Sequence, residues 1–455
     1  MTDTVISNQV DYKKYNYVTP NYELSKLTQQ TGGATVTATT SGGVKSIFEL
    51  PAKVINLAQS GIKFTVTIPE LNTKYNWVQC NILQWWQQIQ LYTRGGLMLM
   101  DLINAHNYTN LEYPYEAKLV ELQTNDQFIY GAIAADAIGY GQGFRTATNE
   151  ANYYPTEAAT KVDGPNEMLY TLQGAARDGA GAGIMIADIF IPFSMFKGTV
   201  LSLDKDLYFN GEVVLLRFVW GPSTKMFWTG AAGNNPTSTP VAAAASVAIS
   251  NLYTYISLEQ NQLIQQDIMN KSASAEELSI LIPYVYNNKI NLTGNSQTIT
   301  LRYNRAHGVR LKKIYHGVYN NTESANTMYS HPNLDGAVIT NFYTMLDNVR
   351  QSQFNIDCTA GEDYLVLKNK LKGSCLISYT VFADNWTIVE DYTNAKPRDE
   401  LPMKPDLENL IVGESLDTER KVNIYLTMAG GQYNHYSFTI TEKLLTVSAA
   451  GIQLL

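Results

Sequence analysis

The residues that could do chemistry are few and poorly placed for it. Five histidines, His106, His307, His316, His331 and His435, occur in 455 residues, and three of them fall within 25 positions. None stands in a His-Glu-x-x-His phrase or a paired His/Cys spacing, the patterns that bring ligands together around zinc. They read as structural hydrogen-bonding groups. Gly139-Tyr-Gly-Gln-Gly143 looks like a phosphate-cradling loop, but no Lys-Ser/Thr follows it and no strand-to-helix pattern surrounds it, so it reads as a flexible loop tip. The carboxylate pairs Glu362-Asp363 and Glu390-Asp391 lie near expected turns, with no spacing that fixes an acid/base separation. No Gly-x-Ser-x-Gly elbow accompanies a Ser/His/Asp set. The sequence therefore assigns no catalytic, cofactor-binding or metal-ligating residue, and the chain reads as a non-enzyme.

Two clusters have the composition of binding surfaces. Arg302, Arg305, Arg310, Lys312 and Lys313, interleaved with Tyr303 and Tyr315, form the densest basic stretch. Such a patch could meet phosphates of a genome or lipid; in a chain of net charge −8 it reads instead as solvated strand positions and inter-subunit ion pairs. Trp85-Trp86 beside Tyr92 could stack on sugars, and the opposing reading is core or interface packing.

Composition places these residues in a β-rich chain with large contacts. Apolar residues make up 45% and charged residues only 16%, so much of the surface is expected to be covered by other protein. The 30 Tyr, 14 Phe and 6 Trp favour strands and interfaces. Cys80, Cys358 and Cys375 are an odd set without Cys-x-x-Cys pairing, which fits a reducing compartment. The first residues lack an apolar core and no run is long enough to span a bilayer, so neither signal peptide nor membrane span is expected. The sequons at Asn107, Asn291, Asn320 and Asn385 read as chance occurrences in an Asn/Thr-rich chain.

Along the chain, residues 1–44 end in a Gly/Thr-rich stretch and read as an N-terminal arm and linker. Ile62 to Ile68 alternates apolar and polar, the pattern of a half-buried strand. Further β blocks fall at Ile89–Met100, Ile184–Ile191, Val213–Trp220 and Gln297–Tyr303, and Val309–Tyr319 reads as a strand with a bulge or turn. Residues 131–183 are Gly/Ala/Asn/Tyr-rich and read as a long loop insertion, with a short helical phrase near Asn166–Leu172. The spacing of Phe342, Met345, Leu346 and Val349 predicts a helix over 339–353, and 391–421 reads as an acidic loop. Two internal echoes suggest duplication: Ile55-Asn-Leu-x-x-Ser60 with Ile290-Asn-Leu-x-x-x-Ser296, and Asn251-Leu-Tyr-Thr-Tyr-Ile with Asn434-His-Tyr-Ser-Phe-Thr. The expected organisation is all-β, with similar modules over 45–270 and 271–455.

The sequence resembles the double jelly-roll major capsid proteins of the adenovirus and tectivirus lineage, most like those of virophages and polinton-like viruses. The likeness is carried by Phe48-Glu-Leu-Pro-x-x-x-Ile-Asn-Leu-Ala-x-Ser60, Arg305-Ala-His-Gly308, Leu311-Lys-Lys-Ile-Tyr-His316, Glu323-Ser-Ala-Asn-Thr327 and Phe342-Tyr-Thr-Met-Leu-Asp-Asn-Val-Arg350. It implies two consecutive eight-stranded jelly rolls and a homotrimeric, pseudo-hexagonal capsomer of an icosahedral DNA-virus shell. It further implies neighbouring capsomers and penton and minor capsid proteins as partners, assembly inside the host cell and residence in the virion. Whether the arm meets an internal membrane or the genome stays open, and no specific nucleic-acid sequence is implied. Two other functions remain: a two-module β-sandwich carbohydrate-binding protein or glycosidase, and a minor capsid or spike protein of the same lineage.

Overall fold

A computed structural model describes residues 19–68, 75–78, 82–116, 185–223, 227–230, 246–273, 278–320, 339–370, 387–393, 413–429 and 431–455. In chain order the first half forms β1 (Tyr22–Thr28), β2 (Val36–Ala38), β3 (Lys45–Glu49), β4 (Ile55–Ile68), β5 (Tyr75–Val78), β6 (Trp86–Thr93), β7 (Met98–Ile103), helix α1 (Ala105–Glu116), β8 (Met185–Pro192), β9 (Asp206–Leu207), β10 (Val214–Trp220), β11 (Phe227–Gly230) and β12 (Val247–Glu259). Helix α2 (Gln262–Ala273) leads to the second half. That half forms β13 (Leu278–Thr293), β14 (Ser296–Tyr303), β15 (Arg310–Asn320), β16 (Ile339–Leu346), β17 (Val349–Arg350), β18 (Ile356–Asp357), α3 (Glu362–Lys370), β19 (Thr387–Asp391), β20 (Glu414–Ser415), β21 (Arg420–Met428), β22 (Gln432–Ser448) and β23 (Gly451–Leu454).

Both halves follow one topology. In the first, sheet 1a runs β1-β12-β4-β8 and sheet 1b runs β3-β10-β6-β7; in the second, sheet 2a runs β13-β22-β15-β19 and sheet 2b runs β14-β21-β16-β17. Counting the principal strands of each half from one to eight, both pair as 1-8-3-6 and 2-7-4-5, the antiparallel jelly-roll order. The duplication expected from sequence is real, although only one of the two echoes marks equivalent strands. Asn251 and Asn434 lie on β12 and β22, the last principal strand of each half, whereas Ile55 opens β4 and Ile290 lies in β13, which are not counterparts.

Other expectations need correction. Tyr22–Thr28 and Val36–Ala38 both pair with β12, so that part of the expected arm belongs to sheet 1a. The helix expected over 339–353 is instead the hairpin β16–β17. Asp347 and Asn348 turn it with φ of 48° and 68°, the left-handed pair of a type I′ turn, and β16 pairs along β21 from Ile339↔Met428 to Leu346↔Val422. The ladder outweighed a weak helical spacing. In β15 the expected bulge is present, between Leu311 and Lys313. The 131–183 insertion and the Asn166–Leu172 phrase lie outside the described residues, as does most of 391–421.

The first sandwich is filled by aromatics alternating inward from both sheets. Phe64 of sheet 1a meets Trp86 at 6.2 Å and Trp220 at 5.4 Å, both edge-on, and Trp86 meets Phe218 at 5.3 Å. In the second sandwich, sheet 2b presents Ile299, Leu301, Val422, Ile424 and Leu426, while the inner face of β22 is polar, with His435, Ser437, Thr439 and Thr441 all buried. Tyr303 reaches across to hydrogen-bond Thr439, and Thr441 Oγ1 donates to the His307 carbonyl at 2.8 Å.

The halves join where α1 lies on the outer face of sheet 2a. Tyr108 packs edge-on to Tyr315 at 6.3 Å and against Phe438 at 5.4 Å, and its hydroxyl donates to the Lys197 carbonyl at 2.7 Å. Gly317 admits Leu111: a Cβ there would stand 2.9 Å from Leu111 Cδ2. Gly198, at φ 71°, leaves room for Tyr108 and Ile440. With a helix on one face and sheet 2b on the other, Ile314–Tyr319 and Asn434–Glu442 are buried at every position rather than at alternate ones. Asn287 Nδ2 donates to the Ile103 carbonyl at 3.1 Å and Asn210 Nδ2 to that of Ser448 at 2.9 Å, adding polar ties across the junction. Leu111→Ala should cost about 2–5 kcal/mol, as for other buried leucines, and should lower the unfolding midpoint of both halves together in urea melts followed by Trp fluorescence.

Candidate assembly surfaces and polar sites

The basic stretch is neutralised within the chain. Arg302 pairs with Glu419 at 2.9 Å and Arg305 with Asp417 at 3.5 Å, both at exposed positions, and Arg310 donates to the Gly413 carbonyl at 3.2 Å. Lys312 pairs with Glu442, and Lys313 lies 3.8 Å from Asp391. Arg420, from the adjoining strand, pairs with Asp347 at 2.6 Å and Glu414 at 3.3 Å. These ion pairs are intramolecular: Arg302, Arg305 and Asp347 are tied to the segment from Gly413 to Arg420, while Lys312 and Lys313 tie β15 to β22 and β19. Their energetic weights differ. Glu442 is largely buried, so Lys312→Ala strands a carboxylate and should cost roughly 3–5 kcal/mol. Arg302→Ala, at an exposed pair, should cost about 0–1 kcal/mol in the same chemical melts.

Trp85 and Trp86 are fully buried in the first core, so neither can stack on a sugar. Tyr92 is half-buried on the outer face of sheet 1b, with the Arg217 guanidinium 5.2 Å from its ring centre. Arg217, Gln90 and Asp101 sit opposite one another on β10, β6 and β7, and Asp101 accepts from Gln88 at 2.7 Å and Gln90 at 2.9 Å.

The described histidines pack within the fold or cap it. His316 and His435 stack at 5.3 Å within the second sandwich, with His316 Nδ1 3.2 Å from His435 Nε2. His307 closes a capping box with Asn304 before β15, and His106 lies buried in α1. His331 is outside the described residues, as are Gly139–Gly143, Cys80, Cys375 and Asn385. Among the described residues no group of three or more His, Cys, Asp or Glu could hold a metal ion, and no helix is long and apolar enough to cross a membrane. The Asn107 sequon is fully buried in α1.

Of the carboxylate pairs, Glu362 accepts from the Asp357 N–H at 2.9 Å and Glu390 is buried in β19. Asp363 is buried at the start of α3, where desolvation pushes its carboxyl up to about 6 against the lowering hydrogen bond from the Tyr364 N–H. Burial pushes His435 down to about 3. These shifts have opposite consequences for stability. The depressed His435 contributes stability that is complete above its ordinary 6.5 and is lost as pH falls toward about 3. The raised Asp363 contributes stability that is complete below its ordinary 3.8 and is lost as pH rises through about 6. Between these limits the two offset, so Asp363→Asn should steepen the fall in stability between about pH 6 and 4. Urea midpoints measured across that interval check it; an unchanged slope would overturn the assignment.

Side chains that the sequence reading mostly passed over contribute exposed apolar surface. Val349, Phe354 and Leu365 are exposed within one 17-residue stretch running from the outer strand of sheet 2b into α3, and Leu24 and Phe190 are exposed on the edge strands of sheet 1a. On the outer face of sheet 2b, Tyr343 and Tyr425 stack at 4.4 Å with the Arg350 guanidinium 4.0 Å over Tyr343. Apart from Val349, whose spacing suggested a helix, no periodicity marks these positions, because an exposed Leu or Phe in a turn or short helix resembles a core residue until its neighbours are known.

No protein-family model and no curated protein matches the sequence. Solved structures do. A chain of the PBCV-1 virus capsid aligns with a TM-score of 0.55 and 10% identity, covering 96% of this chain and 97% of that one. The mavirus major capsid protein aligns at 0.51 and 10% identity, covering 100% and 96%. The Faustovirus major capsid protein aligns at 0.52 and 8% identity, covering 95% and 92%. At such identities the likeness is one of fold, and it runs through both sandwiches: the chain has the double jelly-roll fold seen in viral major capsid proteins.

Proposed function

We propose that this chain is a major capsid protein that self-assembles, as a trimeric and pseudo-hexagonal capsomer, into the icosahedral shell of a DNA virus. The observation that carries the reading is the repeated 1-8-3-6 and 2-7-4-5 order within one chain, in a fold aligned nearly end to end with the PBCV-1, mavirus and Faustovirus capsid chains. Fold alone does not give function, so the surface must agree with it. It does in two respects. The ion pairs of the densest basic stretch are intramolecular, so that stretch is not held open for phosphates, which suits a wall around a genome rather than a sequence reader. Exposed apolar side chains occur on the outer parts of both halves, where neighbours of the same kind would cover them.

The finer reading follows from three-fold use of a two-lobed chain. A trimer presents six similar lobes and so fills positions with six neighbours. Its partners are then adjacent capsomers, penton and minor capsid proteins, in a virion put together inside the host cell. The carbohydrate-binding alternative loses the Trp-pair part of its motivation with the burial of Trp85 and Trp86. The two sandwiches favour a major over a minor capsid role. Multi-angle light scattering on the purified full chain should give about three times its 50.7 kDa mass, with hexagonal outlines in negative-stain images. A monomer under all assembly conditions would overturn the proposal.

A further inference from the structure

The contact between the two halves of one chain is also a template for contact between chains. Helix α1 sits in the connection leading from β7, the outer strand of sheet 1b, to β8, the outer strand of sheet 1a; α3 sits in the same connection of the second half, between β17 and β19. The two helices are therefore counterparts, yet they differ in what covers them. Leu111 of α1 is fully buried against sheet 2a, while Leu365 of α3 is 59% exposed. On α3, Asp363 and Leu367 turn toward their own half, leaving Leu365 and Asn369 exposed on the opposite stripe, with the partly exposed Glu362, whose Oε2 accepts from the Asp357 N–H, at its N-terminal end.

The sheets show the same difference. By the echo between β12 and β22, Tyr253 and Tyr255 take the outward positions that Tyr436 and Phe438 take on β22. Tyr436 and Phe438 are buried, Phe438 directly beneath Tyr108 of α1. Tyr253 and Tyr255 remain partly open, and the face they share is aromatic and basic. Lys26 Nζ lies 3.5 Å over the Tyr253 ring, Lys63 stands opposite Tyr253 in the register, and Phe190 meets Tyr255 at 6.3 Å while lying across Gly61.

We propose that in the assembled protein the α3 stripe of one chain docks on the outer face of sheet 1a of the next, repeating between chains the α1-on-sheet-2a contact made within each. Leu365 takes the place of Leu111, and Glu362 faces the Lys26 and Lys63 side of the sheet. A contact between two different surfaces is head-to-tail, and three chains close it into a ring in which every lobe places its helix on the following sheet. Internal and external contacts then alternate six times around the ring. The proposal rests on the self-assembly reading and names the surfaces that perform it.

Mixing two full-length variants tests it. Leu365→Asp spoils the helix side and Phe190→Asp the sheet side, so each variant alone should run at the mass of one chain in light scattering. Mixed in equal amounts, the intact α3 of Phe190→Asp can dock on the intact sheet 1a of Leu365→Asp. A species of two chains, containing one of each, should appear and be confirmed by native mass spectrometry. This outcome cannot come from misfolded variants or from a symmetric interface in which each patch meets itself. If the unmodified chain forms trimers and both variants still do so, the interface assignment fails while the self-assembly reading survives. If both variants are monomeric but their mixture yields no heterodimer, the head-to-tail pairing fails. If the unmodified chain is itself a monomer, the reading beneath it fails as well.

Discussion

The packing of Tyr108 and Leu111 on sheet 2a is the contact on which the rest of the molecule depends. An antiparallel sandwich ordinarily buries one face of each sheet and leaves the other to water. Sheet 2a has no such option, because its outer face carries Tyr315, Tyr436, Phe438 and Ile440. Exposed together, these side chains would form an apolar patch of the kind soluble monomers avoid. The first half removes it with one helix, and burying a Tyr and a Leu side chain is worth roughly 1.5–3 kcal/mol each before the cost of ordering α1. Two glycines make the approach possible. At Gly317 the sheet gives up a side chain so that Leu111 can reach the backbone, and at Gly198 a left-handed turn keeps the chain clear of Tyr108.

This contact explains why a duplicated fold yields two unlike cores. The first sandwich closes on Trp85, Trp86 and Trp220, large rings that fill the space between sheets 1a and 1b without help from elsewhere. The second closes on smaller aliphatic groups from sheet 2b against a β22 whose inner positions are polar. Its stability leans on the first half through α1, whereas among the described residues no helix of the second half packs reciprocally on sheet 1a within the same chain. Charge is arranged to the same end. Lys312 and Lys313 tie β15 to Glu442 of β22 and Asp391 of β19, and Arg420 ties β21 to Asp347 in the β16–β17 turn.

Much of this architecture is legible in the sequence, and the reasons for the failures are physical. Strands with one solvated face, such as Ile62–Ile68 and Gln297–Tyr303, show their alternation plainly. The hairpin over Ile339–Arg350 was masked by a chance helical spacing, although Asp347-Asn348 is itself a turn signal: two residues able to adopt positive φ between β-prone stretches. Helix α1 was invisible for a different reason. Its sequence, Ala-His-Asn-Tyr-Thr-Asn-Leu-Glu-Tyr-Pro-Tyr-Glu, is poor in helix formers, and the helix is held by what Tyr108 and Leu111 pack against. The basic stretch could be counted but not paired, since its acids lie about 80–130 positions downstream. The surfaces proposed for assembly needed the topology.

The polar stripe inside β22 makes sense once its length is considered. β13 and β22 pair over sixteen consecutive positions, Leu278↔Val447 through Thr293↔Gln432, with no bulge to mark the register. A slip of two residues would keep every side chain on its original face, so alternation of apolar and polar residues cannot by itself forbid it. Specific partners can. Thr439 must meet Tyr303, Thr441 must meet the carbonyl of His307, and His435 must stack on His316; a two-residue shift moves each donor or acceptor about 7 Å along the strand and leaves it in a dry interior without its partner. An apolar stripe would pack more cheaply but would tolerate the slip. The buried hydroxyls and imidazoles of β22 supply that uniqueness of register at the strand that also carries Phe438, the residue on which α1 seats the two halves.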